Sequence, residues 1–404
     1  MLSRATLNAR PSSGQLLKRV LEVPDLPQRV QAMPAPLLGR LIELVGLADA
    51  GELVALATTE QLAEIFDQDL WQSPALGVDE RFDAERFLLW LEVMAEAGEA
   101  FVAARLAELP PDLVTLAVHR HALVVSLSDL EHELTGDDDA AFGAQKAFDS
   151  CLSEELDDYQ LIWRGGEGWD QLLSALLALD RDHHGLLVDV LERCAAMSRE
   201  QLEDQGGLCD VLTSEQMLED DLAGAREERR AEAGFVAPSA ARAFLRLAAG
   251  AASSETPFTE HDPLTRAYFR RLGPLKPAVA GPLATGPLLP RLGSGSTEPL
   301  LIQALRQLAN DDPTRFARRA DELSYLANVL VAGAEVDGRR LRPIDAVELA
   351  LQSVGAGLLL CCPTPELTHA VLALQSHPCD GLFRLALLRS DDLHVRRLAK
   401  TLKL

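Results

Sequence analysis

Residues 53–71 read LVALATTEQLAEIFDQDLW, and this stretch indicates how most of the chain is built. Thr58 is followed three residues later by Gln61, which is the pattern of a capping box. In that motif the hydroxyl accepts a hydrogen bond from the N3 amide, and the Gln side chain bonds to the N–H of the cap residue. Apolar residues recur at helical spacing on both sides of it. The stretch therefore predicts two short helices, over 51–57 and 60–67.

Similar start signals recur along the chain. Capping boxes begin at Ser198 and Thr213, and Asp312 and Thr364 each place a capping side chain before a proline at the first helical position. Together with the apolar periodicity, they predict helices over 14–21, 37–45, 51–57, 60–67, 84–96, 100–106, 112–118, 169–179, 239–249, 298–308, 313–333, 343–360, 365–374 and 381–403.

Most of these helices are too short to be stable alone, so they must bury their apolar faces against one another. No strict period is present. The expected fold is all-α, with irregular stacked helical repeats that resemble a superhelix. The exception is at 148–164, where Tyr159, Leu161 and Trp163 alternate with other residues before Gly165-Gly166. That alternation predicts at most a short β-hairpin.

Composition shifts divide the chain into five predicted segments. Prolines and a local positive excess mark the first of them, and a run rich in proline and glycine marks the fourth. The segments are a flexible basic arm (1–35), an N-terminal helical-repeat domain (36–235), connecting helices (236–272), a Pro/Gly-rich linker or lid (273–299) and a C-terminal helical domain (300–404).

The charge and the cysteines bound the class of protein. The chain has 62 acidic and 38 basic side chains, a net charge of −24 that disfavours nucleic acid and anionic lipid but allows basic partners or divalent cations. No apolar run is long enough to span a bilayer, so we expect no membrane insertion. The six cysteines are dispersed, which is typical of reduced thiols in the cytoplasm.

Motifs for catalysis are absent from the sequence. No phosphate-binding loop, dinucleotide fingerprint, nucleophile elbow or HExxH is present, so we predict no catalytic residues and no cofactor. The candidate metal site is a cluster of thiols and imidazoles within nineteen residues; packing in an apolar core is the alternative reading. Its members are Cys361, Cys362, His369, His377 and Cys379.

Candidate partner contacts are the aromatic residues Trp71, Phe87 and Trp90, which lie on or beside the predicted repeat helices. They would anchor a protein partner if exposed, and they would pack in the core if buried. Acid-rich stretches at 137–139, 154–158 and 219–221 are candidates for Mg²⁺ or Ca²⁺ binding, with a solvated surface as the alternative.

Three stretches carry a resemblance to a known family. Residues 53–71, 232–245 and 321–333 resemble an uncharacterised family of helical bacterial cytosolic proteins, a domain of unknown function, and the resemblance covers most of the chain. It implies no catalytic residues. The first stretch is also similar to the helical-repeat N-domains of magnesium transporters and of flagellar switch proteins. This chain lacks the membrane half and the CBS-type domain of those transporters.

These observations lead to three hypotheses for function. The first is a non-enzymatic helical scaffold or protein-interaction module in the bacterial cytoplasm. The second is a regulatory module that responds to a divalent cation. The third is an enzyme with an unrecognised active site, which a deep pocket lined by His119, His183 or the Cys361 to Cys379 group would indicate.

Overall fold

The computed structural model describes residues 13–128, 151–203, 213–232, 234–250, 258–272, 299–336, 339–362 and 364–402. Within these ranges the chain forms eighteen α-helices and seven short strands, so the mainly helical fold is confirmed. The acidic run at 129–139, Cys209 and the Pro/Gly-rich segment up to residue 298 lie outside the described residues.

The chain divides into two compact units. Unit 1 comprises Met1–Gln72 and Arg81–Gly224, and unit 2 comprises Ser73–Glu80 and Ala225–Leu404. The helices that begin in unit 1 are α1 (Ser13–Leu21), α2 (Leu26–Gln31), α3 (Ala35–Val45), α4 (Gly51–Leu56), α5 (Thr59–Asp69), α6 (Ala84–Ala95), α7 (Glu99–Glu108), α8 (Pro111–His121), α9 (Trp169–Glu203) and α10 (Ser214–Glu232).

Helix α9 organises the core of unit 1. It packs against α6, α7 and α8, and it contacts the sheet of the same unit. Its apolar face continues past the 179 at which we expected it to end, through Leu187, Val190 and Leu191, which are all fully buried. Non-helical backbone at His183 (φ −143°, ψ 44°) interrupts the helix, so α9 consists of two helical halves that meet at a kink.

The capping boxes at Thr58 and Thr213 are confirmed, whereas the one at Ser198 is wrong. The Thr58 hydroxyl accepts from the Gln61 amide, and the Gln61 side chain accepts from the Thr58 N–H. Ser198 instead lies inside α9 and is buried. Its hydroxyl accepts a hydrogen bond from the Val124 N–H of a neighbouring strand at 3.2 Å. The expected donor was an amide in the first turn of a helix.

The predicted hairpin forms, and a third strand that we did not predict joins it. Strands β4 (Ser153–Leu156) and β5 (Tyr159–Trp163) pair antiparallel, and β3 (Ala122–Ser126) pairs with the other edge of β5. Strand β3 follows α8 without a loop, and its short apolar run is too brief to signal a strand by itself. Strands β1 (Trp71–Gln72) and β2 (Arg81–Phe82) form a separate two-residue pair.

Unit 2 consists of helices arranged around one apolar core, with a small hairpin of β6 (Glu335–Val336) and β7 (Arg339–Arg340). Helix α17 is central, since all its residues from Cys379 to Leu387 are buried. The helices are α11 (Pro238–Gly250), α12 (Pro263–Leu272), α13 (Leu300–Asp311), α14 (Pro313–Gly333), α15 (Pro343–Cys361), α16 (Leu367–Ser376), α17 (Cys379–Arg389) and α18 (Leu393–Leu402).

Two helix boundaries in unit 2 differ from expectation. Thr364 does not cap a helix, because α16 begins at Leu367 and the Thr364 hydroxyl pairs with His369 Nδ1 at 2.8 Å. The single helix expected over 381–403 is divided into α17 and α18. Asp392 lies between them and accepts from the Val395 N–H at 3.2 Å, so it starts a new helix. Asp312 caps α14 as predicted.

The charge is distributed unevenly between the units. Unit 1 has 15 basic and 41 acidic side chains, whereas unit 2 has 23 basic and 21 acidic ones. The large negative charge is therefore a property of unit 1 alone. The boundary lies within α10, whose later residues Arg226 and Arg230 pair with Glu80 of unit 2, at 2.7 and 2.6 Å.

Candidate functional site

The candidate site is a cleft of about 510 Å³ in unit 2, which we call the arginine cleft. It is bounded by the first turns of α14, the end of α16, the residue before α17 and the residues that lead into α12. The two acidic residues of its lining are Glu260 and Glu322. Its cationic lining residues are His261, Arg266, Arg315, Arg318 and Arg319.

Three of these arginines reach the cleft because of their spacing on α14. Arg315, Arg318 and Arg319 stand at i, i+3 and i+4, so one face of the helix presents all three. The start of the helix is fixed by Asp312, which accepts from the Arg315 N–H at 3.0 Å. Sequence reasoning missed this site, although three basic residues at helical spacing in an acidic chain are a signal that could have found it.

A buried ion pair forms the inner wall of the cleft. Arg319 is buried; its Nε donates to the Leu374 carbonyl at 2.8 Å, and its Nη1 donates to Glu322. The other oxygen of Glu322 accepts the Cys379 N–H at 2.7 Å, at the first turn of α17. A carboxylate at this position meets the positive end of the helix dipole. Burial raises the pKa of Glu322 even so, and the Arg319 guanidinium partly offsets that effect.

His261 lies between two carboxyl groups. Its Nδ1 is 2.7 Å from Asp380 Oδ1, and its Nε2 is 3.6 Å from Glu322 Oε1. The hydrogen bond with Asp380, which is fully buried, raises the pKa of His261 despite partial desolvation. Nδ1 is therefore hydrogen-bonded to one carboxyl group and Nε2 lies near a second, an arrangement that favours the protonated ring.

Asp262 is a second buried carboxyl group behind the cleft. It caps α12, since its Oδ1 accepts from the Leu264 N–H at 2.9 Å and the Thr265 N–H at 3.1 Å. Burial raises the pKa of Asp262, and the nearby Asp380 adds to that increase. Its own N–H donates to Asp380 at 3.2 Å, so the network is continuous from α12 to α17.

Burial leaves the thiols of Cys379 and Cys194 unactivated. Cys379 is fully buried, and its Sγ donates to the Arg319 carbonyl at 3.7 Å. Burial raises the pKa of Cys379 well above its usual range and raises the pKa of Cys194 to about 12. A nucleophilic cysteine needs the opposite shift, because the thiolate is the reactive form.

The five residues of the candidate metal site do not converge. Cys379 faces the core, His377 Nδ1 lies 3.2 Å from the Ala373 carbonyl, and His369 pairs with Thr364. Cys361 and Cys362 are partly buried at the end of α15, and burial raises the pKa of both. Among the described residues, no three of these five side chains bring their ligand atoms within 4.8 Å of one another.

A different set of ligand-type side chains comes together in unit 1. Among the described residues, Asp157, Asp180 and His184 place their ligand atoms within 4.8 Å of one another. His184 Nδ1 is 2.9 Å from Asp180 Oδ1 and 3.6 Å from Asp157 Oδ2, and these carboxylates raise the pKa of His184. Asp180 and His184 lie four residues apart on either side of the kink at His183, but nothing local in the sequence brings Asp157 to them.

The candidate partner residues are buried in the core of unit 1. Trp71, Phe87 and Trp90 have exposed fractions of 6%, 1% and 1%. Trp90 donates from Nε1 to Asp69 at 2.7 Å, and Phe66 packs edge-on against it with 5.0 Å between ring centroids. The expectation of a partner surface at these residues is therefore corrected: their rings are enclosed by the helices that they hold together.

The histidines considered for an active site lie in the core or at a helix kink. His119 is 1% exposed, and His121 stacks on Trp163 with ring centroids 5.4 Å apart. Burial lowers the pKa of His121. His183 forms the kink in α9. None of these residues lines the arginine cleft.

One described helix is long and apolar enough to cross a membrane. Helix α15 has 19 residues and a mean hydropathy of 1.5 in its most apolar window, of which 39% is buried. Ala346, Leu349 and Val354 on its inner face belong to the core of unit 2. A core helix meets the same criterion, so length and composition do not distinguish the two.

Fold and site together define a predominantly helical protein with a cationic cleft in one of two units. A family model described as Family of unknown function (DUF6178) matches residues 3–403, and the chain therefore belongs to that family. Membership of an uncharacterised family, as the sequence indicated, is confirmed. Neither the curated proteins nor the solved structures contain a match.

Proposed function

We propose that this protein is a non-enzymatic interaction module of the cytoplasm that docks an anionic segment of a protein partner in the arginine cleft. The observation that carries the proposal is the state of the polar groups around that cleft. His261 is held between two carboxyl groups, and the Cys379 thiol is buried with a raised pKa. The thiol is therefore no nucleophile, the imidazole is engaged with carboxyl groups, and the arginines of the lining are the groups that favour an anionic ligand.

The form of the cleft agrees with docking. The guanidinium groups of Arg315 and Arg318 are exposed at its rim, where a partner's carboxylates or phosphates would meet them. The inner wall is fixed by hydrogen bonds from Arg319 and Cys379, so little order has to be created when a partner binds. The five described cysteines are unbridged thiols, in keeping with a reducing compartment.

A capture experiment with matched variants tests this proposal. The full chain, Arg315→Glu/Arg318→Glu and the control Arg339→Glu/Arg340→Glu are each crosslinked in native lysate and the bound proteins are quantified. The control reverses two equally exposed charges on the β6–β7 hairpin of the same unit. We expect a stoichiometric partner with wild type and control and its loss with the cleft variant. Equal capture by all three proteins contradicts the proposal.

The cation-responsive alternative can be assigned to Asp157, Asp180 and His184. The raised pKa of His184 means that a proton competes with any metal ion for this group. Calorimetric titration of the full chain with Mg²⁺, Ca²⁺ and Zn²⁺ separates the two hypotheses. On our proposal none of these ions binds at millimolar concentration at neutral pH. Tight binding that Asp180→Asn abolishes and Asp170→Asn preserves would support the alternative.

A further inference from the structure

We infer that the anionic group recognised by the arginine cleft is a phosphoryl group. The inference deepens the proposed function by naming the chemistry of its ligand, but the site can be tested without any protein partner. Four arginines line the cleft against Glu260 and Glu322, an excess of two positive charges, while His261 is paired with Asp380 behind the lining. A phosphate dianion needs such an excess, whereas a single carboxylate would leave half of it uncompensated.

The arginines at the rim have donors to spare. Arg315 donates from Nη1 to the Gln375 carbonyl at 2.8 Å, and its Nε lies 3.4 Å from Asp312. Arg266 uses Nη2 for Glu260 and for the His261 carbonyl. A guanidinium carries five N–H donors, so each of these side chains keeps several for a ligand. The side chain of Arg318 has no hydrogen bond or ion pair with any residue that the structure describes.

The cleft already holds one anion of its own. The Glu322 carboxylate accepts both from the guanidinium of Arg319 and from the Cys379 N–H at the start of α17. This internal carboxylate satisfies the inner arginine and the helix terminus, and Glu260 pairs with Arg266 at 3.3 Å. Arg315 and Arg318 therefore keep the most donors for an external anion. The lining also contains the hydroxyl group of Thr259, which suits a further phosphate oxygen, whereas the Ser376 hydroxyl already donates to the Leu372 carbonyl at 2.7 Å.

The net charge of −24 does not oppose binding at this place. The acidic excess belongs to unit 1, whereas the charges of unit 2 nearly balance. Within unit 2, cationic side chains outnumber acidic ones in the lining of the cleft, so the lining presents a positive potential to a small anion.

Calorimetry and ³¹P NMR on the full chain test the inference. The ligands are inorganic phosphate, a phosphoserine peptide and a glutamate peptide of matched length. The proteins are wild type, Arg315→Gln/Arg318→Gln and the control Arg339→Gln/Arg340→Gln. We expect phosphate binding by wild type and control, and at least a tenfold weaker affinity in the cleft variant, since each lost charge-assisted bond is worth about tenfold or more. Both substituted pairs are exposed, so folding is preserved.

The outcomes separate the sources of the phosphoryl group. A phosphoserine peptide that binds more tightly than inorganic phosphate indicates a phosphorylated partner segment, and equal affinities indicate a free phosphorylated metabolite; both results support the site. Absence of phosphate and phosphoserine binding at millimolar concentration overturns it, as does equal weakening in the control variant. A glutamate peptide that binds as well as the phosphoserine peptide overturns the phosphoryl assignment but leaves the docking proposal intact.

Discussion

Gly357 lies where helices α15 and α17 approach each other closely, and its substitution is a direct test of their packing. A Cβ atom at this position would lie 2.0 Å from the Leu382 carbonyl oxygen, and real Cβ contacts essentially never fall below 3.0 Å. Helices α15 and α17 would have to separate by about 1 Å, in a tightly packed interior. Every residue of α17 from Cys379 to Leu387 is buried, so that movement disturbs the whole core.

The expected change in the free energy of unfolding on Gly357→Ala is the sum of two opposing effects. Forcing extra volume into a packed core costs about 1–3 kcal/mol or more, whereas replacing glycine by alanine inside a helix gains about 1 kcal/mol. At Gly357 the contact is with backbone, which cannot rotate away, so we expect Gly357→Ala to lose about 2 kcal/mol. Gly355 is the matched control on the same helix, because its Cβ would lie 3.8 Å from Leu301, an ordinary contact. Gly355→Ala should gain up to about 1 kcal/mol.

Urea unfolding followed by far-ultraviolet circular dichroism measures both changes. All four tryptophans lie in unit 1, so tryptophan fluorescence follows that unit separately and shows whether the loss is confined to unit 2. Our reasoning is refuted if Gly357→Ala is as stable as wild type, or if Gly355→Ala loses as much stability as Gly357→Ala.

Three further predictions concern polar groups. Gln61→Ala should lower the free energy of unfolding in urea by about 1–3 kcal/mol, because Gln61 also donates to two carbonyls beyond its capping box. Gln216→Ala, in an exposed capping box, should lower it by under about 1 kcal/mol. Equal losses in the two variants would contradict this prediction. Asp69→Ala should destabilise unit 1 by about 1–3 kcal/mol, since it removes the partner of the buried Trp90 indole; an unchanged fluorescence transition would contradict it. The raised pKa of His261 means that its stabilising contribution is complete below about pH 6.5 and is lost as pH rises through the folded-state pKa. The stability difference between wild type and His261→Asn should therefore shrink from pH 6 to pH 9, and a constant difference would refute the assignment.

Local sequence determined the helices of this protein and most of their starting points. The boxes at Thr58 and Thr213 and the cap at Asp312 act within one turn of backbone, so residue type and spacing are enough to find them. The hairpin was visible for the same reason. At Ser198 the same signature predicted a cap that does not form. Its hydroxyl instead accepts a hydrogen bond from the Val124 N–H of β3.

Only the tertiary structure decided which residues meet. His261 and Arg266 precede the arginines of α14 by about fifty residues in the chain, yet all of them line one cleft. Asp157, just after β4, likewise lies beside His184 of α9. Tertiary packing also enclosed Trp71 and Trp90, for which the sequence favoured a core position and left a partner surface as the alternative. The periodicity of apolar residues specifies which face of a helix is buried. What covers that face depends on how elements distant in the chain pack together. The arginine cleft forms by such packing, so the sequence alone does not specify it.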